Sequence, residues 1–131
     1  HNAYEDNFNY LHKRKIQVNK KNGNLLGQDN LVPKNSQKKL DHTYSIRFHL
    51  YPGINAVQTI GKNSILVQAE KNKSLVFTAN SGSLTLEKSI FLLRNKIINN
   101  FCITISGTIK VNENKKINWE LKKIIKDATK N

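Results

Sequence analysis

Four histidines, His1, His12, His42 and His49, are the side chains whose charge changes most readily near neutral pH. A zinc site needs three or four His, Cys or carboxylate ligands converging at about 2.0–2.3 Å. The chain has no His-x-His pair and no His-Glu-x-x-His, and Cys102 is its one cysteine. His12, Asp29 and His49 could converge across neighbouring strands. Nucleophilic catalysis finds no support either. There is no Gly-x-Ser-x-Gly turn, and no activating base stands near Cys102 in sequence. Ser89 reads as a strand-edge residue, and no Gly-rich loop could cradle a phosphate. Glu5 and Asp6 are adjacent, so on an extended chain they point to opposite faces and cannot act as a pair. The expectation is a chain without a complete active site, without a bound metal and without a cofactor. The most unusual stretch is Ser45-Ile46-Arg47-Phe48-His49-Leu50-Tyr51-Pro52. One of its faces is apolar. The other presents Arg47 and His49 two residues apart, either to an anionic group or another domain, or to solvent with a salt bridge.

The elements that would carry these residues are strands. Tyr44, Ile46, Phe48 and Leu50 alternate with polar residues, as do Ile65, Val67 and Ala69, then Leu75, Phe77 and Ala79. Leu84 and Leu86 suggest a short strand. Phe101, Ile103 and Ile105 form another face, with Cys102 as a small half-buried neighbour, and Ile117, Trp119 and Leu121 form the last. Turn chemistry separates them. Asn22-Gly23 suits a tight hairpin between Ile16-Gln17-Val18 and Leu25-Leu26. Lys71-Asn72-Lys73, Asn80-Ser81-Gly82, Pro52-Gly53, Gly61-Lys62-Asn63 and Asn112-Glu113-Asn114 are further breaks. Residues 33–41 form a polar loop. Helix signals are weak: Leu121, Ile124 and Ile125 could make one turn before a frayed tail. Short strands with turns every 8 to 12 residues predict an all-β fold, a sandwich or barrel, within one domain.

Composition narrows the partners. The formal net charge is +13, from 22 Lys+Arg against 9 Asp+Glu. Such a surface attracts polyanions. Lys nevertheless outnumbers Arg 19 to 3, and Asn also numbers 19, a bias that A/T-rich codons produce without selection for a ligand. Scarce Arg argues against bidentate recognition of phosphate or carboxylate. A membrane span needs about 18 consecutive apolar residues, and no run approaches that length. The chain starts at His1 and contains no Met, which suggests a cut or processed beginning.

Several motifs occur in an order that resembles the C-terminal region of the heparinase II/III-like polysaccharide lyases. His1-Asn2-Ala3-Tyr4 resembles the family's His-Asp-Gly-Tyr, and His12-Lys13-Arg14 its His-x-Arg entering a strand. Gly27-Gln28-Asp29 is similar to Gly-Glu-Asp. Ile46 to Pro52 is similar to Arg-Phe-His-Leu-His-Pro, and Leu84 to Ser89 to the Leu-Glu-Glu-Ser element. Trp119 falls where the family often has a Trp in the closing strand. Ala3 departs from a family Gly, and Tyr51 replaces the family's second His.

The resemblance covers about residues 1–123, leaving 124–131 as a tail. It implies an antiparallel β-sandwich that is the C-terminal portion of a larger sandwich. It also implies an N-terminal α/α toroid in the same protein, with acidic polysaccharide in the cleft between the two. Cleavage there proceeds by β-elimination: a base removes the proton α to a uronate carboxylate, and an acid protonates the leaving oxygen. The acid–base Tyr and the charge-neutralising Asn or His belong mainly to the toroid, and metal ligands of some members to the early sandwich, both placed before His1. No catalytic or metal role therefore transfers to this chain. Arg47, His49, His12 and Arg14 are its candidates for polar contacts with the toroid or with saccharide carboxylates. The resemblance further implies a periplasmic or cell-envelope location. Two other functions compete. A stand-alone carbohydrate-binding module would need an aromatic platform, and Trp119 is expected in the core. A basic nucleic-acid-binding β domain would need exposed aromatic motifs, which are absent, so no nucleic-acid partner is expected.

Overall fold

The computed structural model describes residues 10–33, 42–70, 73–110 and 113–124. Nine strands occur among them: β1 (Tyr10–Val18), β2 (Leu25–Pro33), β3 (His42–His49), β4 (Asn55–Gln58), β5 (Ser64–Glu70), β6 (Lys73–Ala79), β7 (Ser83–Leu93), β8 (Lys96–Ile109) and β9 (Lys115–Ile124). They form two antiparallel sheets. The larger has the order β1-β2-β9-β6-β5-β4, and the smaller the order β3-β8-β7. No described helix is long and apolar enough to cross a membrane.

Alternation decides which side of each strand turns inward. Ile65 and Val67 on β5, Phe77 on β6 and Ile117 and Trp119 on β9 face the smaller sheet and are buried. Tyr44 and Ile46 on β3, and Ile103 and Ile105 on β8, face them from the other side. β-Branched and aromatic residues suit this pleated, half-buried surface. Fully burying one such side chain contributes roughly 1.5–3 kcal/mol. Phe48, Phe77 and Trp119 meet where the layers touch, with ring centroids 4.9–5.7 Å apart. The all-β sandwich expected from sequence is therefore present.

Three local expectations need correction, and one strand was not foreseen. Residues 121–124 make no helical turn. Leu121 pairs with Leu25 on one side and Phe77 on the other, and this ladder outweighs a weak local preference. Gly23 has the positive φ its turn requires (76°), but the connection spans residues 19–24, closed by Asn19 N–H to Asn24 O at 2.8 Å. It is longer than a tight hairpin. The strand at Leu84-Leu86 runs on to Leu93, paired with β8 throughout and turned at Arg94-Asn95, whose φ values are 51° and 66°. Two successive positive φ angles match the strand twist. Arg-Asn is not a pair that flags such a turn in a sequence. Finally, β4 carries too little alternation to be noticed, and it forms the edge of the larger sheet. Residues 71–72 and 112, and most of the polar loop at 33–41, lie outside the described residues, as do His1 to Tyr4, Glu5, Asp6 and Ile125.

Beyond His49, β3 no longer pairs with β8. Leu50 N–H to Phe101 O and Gly53 N–H to Asn99 O close that side at 2.9 and 3.0 Å. The rest of β7 and β8 projects as a two-stranded ribbon. Ile90, Leu92 and Ile97 continue the inward face of the sheet, yet all three are exposed, Ile97 by 71%.

Candidate functional site

Asp29 is the centre of the densest polar arrangement. The β1–β2 register sets Arg14 opposite Asp29, and period two turns His12 to the same inner face. Next to Asp29 on β2, Gly27 pairs with Trp119 of β9. A Cβ on Gly27 would lie 2.0 Å from Trp119 Cε2, so the indole occupies the room a side chain would fill. That approach brings the indole Nε1–H to Asp29 Oδ2 at 2.8 Å. On the other oxygen, Arg14 Nε–H donates to Oδ1 at 2.8 Å. The His12 ring also reaches Oδ1 through Nε2, at 2.7 Å. An ionised carboxylate can only accept, so His12 Nε2 carries the proton in this bond.

Asp29 is wholly buried. Burial pushes its carboxyl upward. The bonds from His12, Arg14 and Trp119 and the charge of Arg14 outweigh burial, and the net result lies below the ordinary carboxylate value. A carboxylate held in this way is a poor proton acceptor. Its chemistry here is to orient three side chains and to balance the Arg14 charge. The second sheet joins through Phe48, whose ring lies 4.7 Å below the Arg14 guanidinium carbon. One carboxylate thus ties β1, β2 and β9 together and, through Arg14, bears on β3. Burial leaves 34% of the Arg14 side chain and 13% of the His12 side chain accessible.

Arg47 and His49 lie elsewhere, on the outer face of the smaller sheet. Arg47 Nη1–H donates to Glu87 Oε1 at 2.5 Å, reaching across β8, and both side chains are about half exposed. The salt bridge that one reading of this face expected is present. His49 is exposed and pairs with Cys102 in the ladder. The four candidate contact residues therefore form two separate pairs on different sheets. The trio of His12, Asp29 and His49 does not assemble, because period two turns His49 outward on the opposite layer. Among the described residues, no three His, Cys, Asp or Glu side chains gather in a metal-binding group. What sequence reasoning missed is the role of Trp119 as a donor to Asp29. The signal was the Gly27-Gln28-Asp29 motif, which supplies both the gap for the ring and the carboxylate.

Comparison with known proteins gives matches of two kinds. A solved structure, heparan sulfate lyase HepC from Pedobacter heparinus, superposes with a TM-score of 0.70 at 15% sequence identity. The superposition covers 90% of this chain and 18% of the lyase, so the chain spans under a fifth of that relative's length. At this identity the likeness shows the fold. No curated protein sequence matches. The family model described as "Heparinase II/III-like, C-terminal" matches residues 1–120. With nearly the whole length matched, and with His12, Arg14, Gly27, Asp29 and Trp119 converging on one another in the sandwich, the chain belongs to the heparinase II/III-like family, as its C-terminal region.

Proposed function

We propose that this chain is the accessory sandwich of a heparinase II/III-like polysaccharide lyase that cleaves acidic polysaccharide by β-elimination. The main catalytic residues lie outside it, in an N-terminal α/α toroid of the same protein. The observation that carries this reading is the saturated Asp29. Three of the residues at the family's motif positions, His12, Arg14 and Asp29, bond to each other inside the layers, with Trp119 as a further donor. They act as a buttress that holds β1 and β2 in place, and none is poised as the base or acid of an elimination. The exposed apolar ribbon supports the same reading, since a face of that kind commonly marks a surface made to be covered. A stand-alone module stacking sugars on Trp119 finds no support, because the indole is buried.

The test is absorbance of unsaturated uronate products from heparan-type and polyuronate substrates. The 131-residue chain alone is expected to release none, whereas a protein joining it to its toroid is expected to release them. Turnover by the chain alone would contradict the accessory role. A periplasmic or envelope location belongs to the same proposal, and recovery of the protein from the cytoplasmic fraction would count against it.

A further inference from the structure

The outer face of the larger sheet, opposite the face that holds Asp29 on the same strands, carries a regular array. Period two turns Lys13 and Lys15 of β1 away from the core, with Gln28 and Asn30 of β2 and Lys116 and Asn118 of β9. The registers align them in two adjacent rows across three strands. Lys13, Asn30 and Lys116 form one row, and Lys15, Gln28 and Asn118 the other. Strand spacing of about 4.8 Å and a rise of about 3.4 Å per residue put Lys13 about 7 Å from Lys15 and about 10 Å from Lys116.

The three lysines are exposed and, among the described residues, enter no ion pair. The amides are already aligned: Asn30 Nδ2–H donates to Gln28 Oε1 at 3.4 Å, and Gln28 Nε2–H to Asn118 Oδ1 at 3.0 Å. Asn118 is fixed further by its own N–H, which donates to Asn80 Oδ1 at 2.9 Å. Glu120 is the one acid described on this face of β1, β2 and β9. It lies one row farther on, 4.0 Å from Lys122. A concavity of about 420 Å³ runs beside the array, lined by Lys15, Gln17, Gln28 and Asn118 together with Leu26, Gly27 and the largely buried Trp119.

The geometry points to a binding surface for an anionic glycan chain on this outer face, separate from the inner Asp29 cluster. Spaced ammonium groups neutralise carboxylates or sulfates on successive sugars, and the carboxamides between them donate to and accept from hydroxyls. Anionic sugars fit better than single-stranded nucleic acid, because none of the described outward side chains of β1, β2 and β9 is aromatic and could stack a base. The inference does not depend on the lyase reading. It concerns retention of a polymer, whatever is done to that polymer elsewhere.

Calorimetric titration with a heparin oligosaccharide of defined length tests it, with polygalacturonate and oligothymidylate as comparisons. Replacing Lys13, Lys15 and Lys116 by Gln is expected to weaken heparin binding about tenfold and to flatten the slope of log affinity against log salt by about 2. Replacing Lys62, Lys96 and Lys110 by Gln removes the same charge elsewhere and is expected to change affinity less than about threefold, because screening confines each charge to its surroundings. Gln28→Ala with Asn118→Ala is expected to weaken binding with the salt slope unchanged. Amide chemical-shift mapping of the unmodified chain provides a measurement independent of any variant's folding, and the largest shifts are expected on β1, β2 and β9. Equal losses in the two lysine triples, shifts centred elsewhere, no heparin binding, or tighter binding of oligothymidylate at the same salt would each overturn the assignment.

Discussion

Asp29→Asn isolates the buried carboxylate with almost no change in shape. The charge disappears, and one of the two acceptor oxygens becomes an NH2 donor. Whichever way the amide turns, a donor then faces either Trp119 Nε1–H or the Arg14 and His12 donors, where Oδ1 and Oδ2 now accept three bonds. Breaking a buried ion pair costs about 3–5 kcal/mol. Arg14 retains some access to water, which can solvate its freed charge and places the loss near the lower end, about 3 kcal/mol. With a urea m-value of about 2 kcal/mol/M, the unfolding midpoint falls by about 1.5 M. Acidification separates this from a packing effect. The folded-state pKa of Asp29 is lowered, so its contribution is present above the unfolded value of about 3.9 and is lost as pH falls through the folded value. The gap between the native chain and Asp29→Asn is therefore constant above about pH 5 and narrows below it. Urea titrations of both proteins over this range measure it. A loss under about 1 kcal/mol at neutral pH, or a gap that widens on acidification, would refute the reasoning.

Other expectations follow from the same geometry. Gly27→Ala drives a methyl into Trp119 and is expected to cost about 1–3 kcal/mol with a changed near-ultraviolet circular dichroism signal, the backbone there having no positive φ to complicate the comparison. Trp119→Phe leaves Asp29 Oδ2 without its donor and is expected to cost about 2 kcal/mol or more. Combined with Asp29→Asn, its effect should be less than additive in a double-mutant cycle, because both remove one bond. Arg47→Gln breaks an exposed pair and is expected to leave the urea midpoint almost unchanged, so a clear fall would mean that the Glu87 contact is worth more than its exposure suggests. Leu92→Lys with Ile97→Lys on the projecting ribbon is expected to leave the thermal midpoint almost unchanged, since neither side chain packs in the core.

Extended segments and the sides that turn inward could be read from residue order. Tyr44-Ile46-Phe48, Ile65-Val67 and Ile117-Trp119 repeat at period two, and burial in a layered sheet enforces that period wherever one face must stay dry. The motifs around His12, Arg14, Gly27, Asp29 and Trp119 identified the family without any geometry, because their order along the chain carries the signal. Pairing was another matter. Nothing along the chain says that β9 inserts between β2 and β6, since Asp29 and Trp119 stand 90 positions apart and meet only through that insertion. The length of β7 and β8 was hidden for a similar reason: Arg94-Asn95 is an ordinary dipeptide until two strands fix its angles. Strand order likewise brings Lys13, Asn30 and Lys116 into one row and separates His49 from Asp29. The alternation of single strands is a local property, set by the geometry of the extended backbone. Which strands become neighbours depends on the free energy of the whole core, and that decided where the charged groups came together.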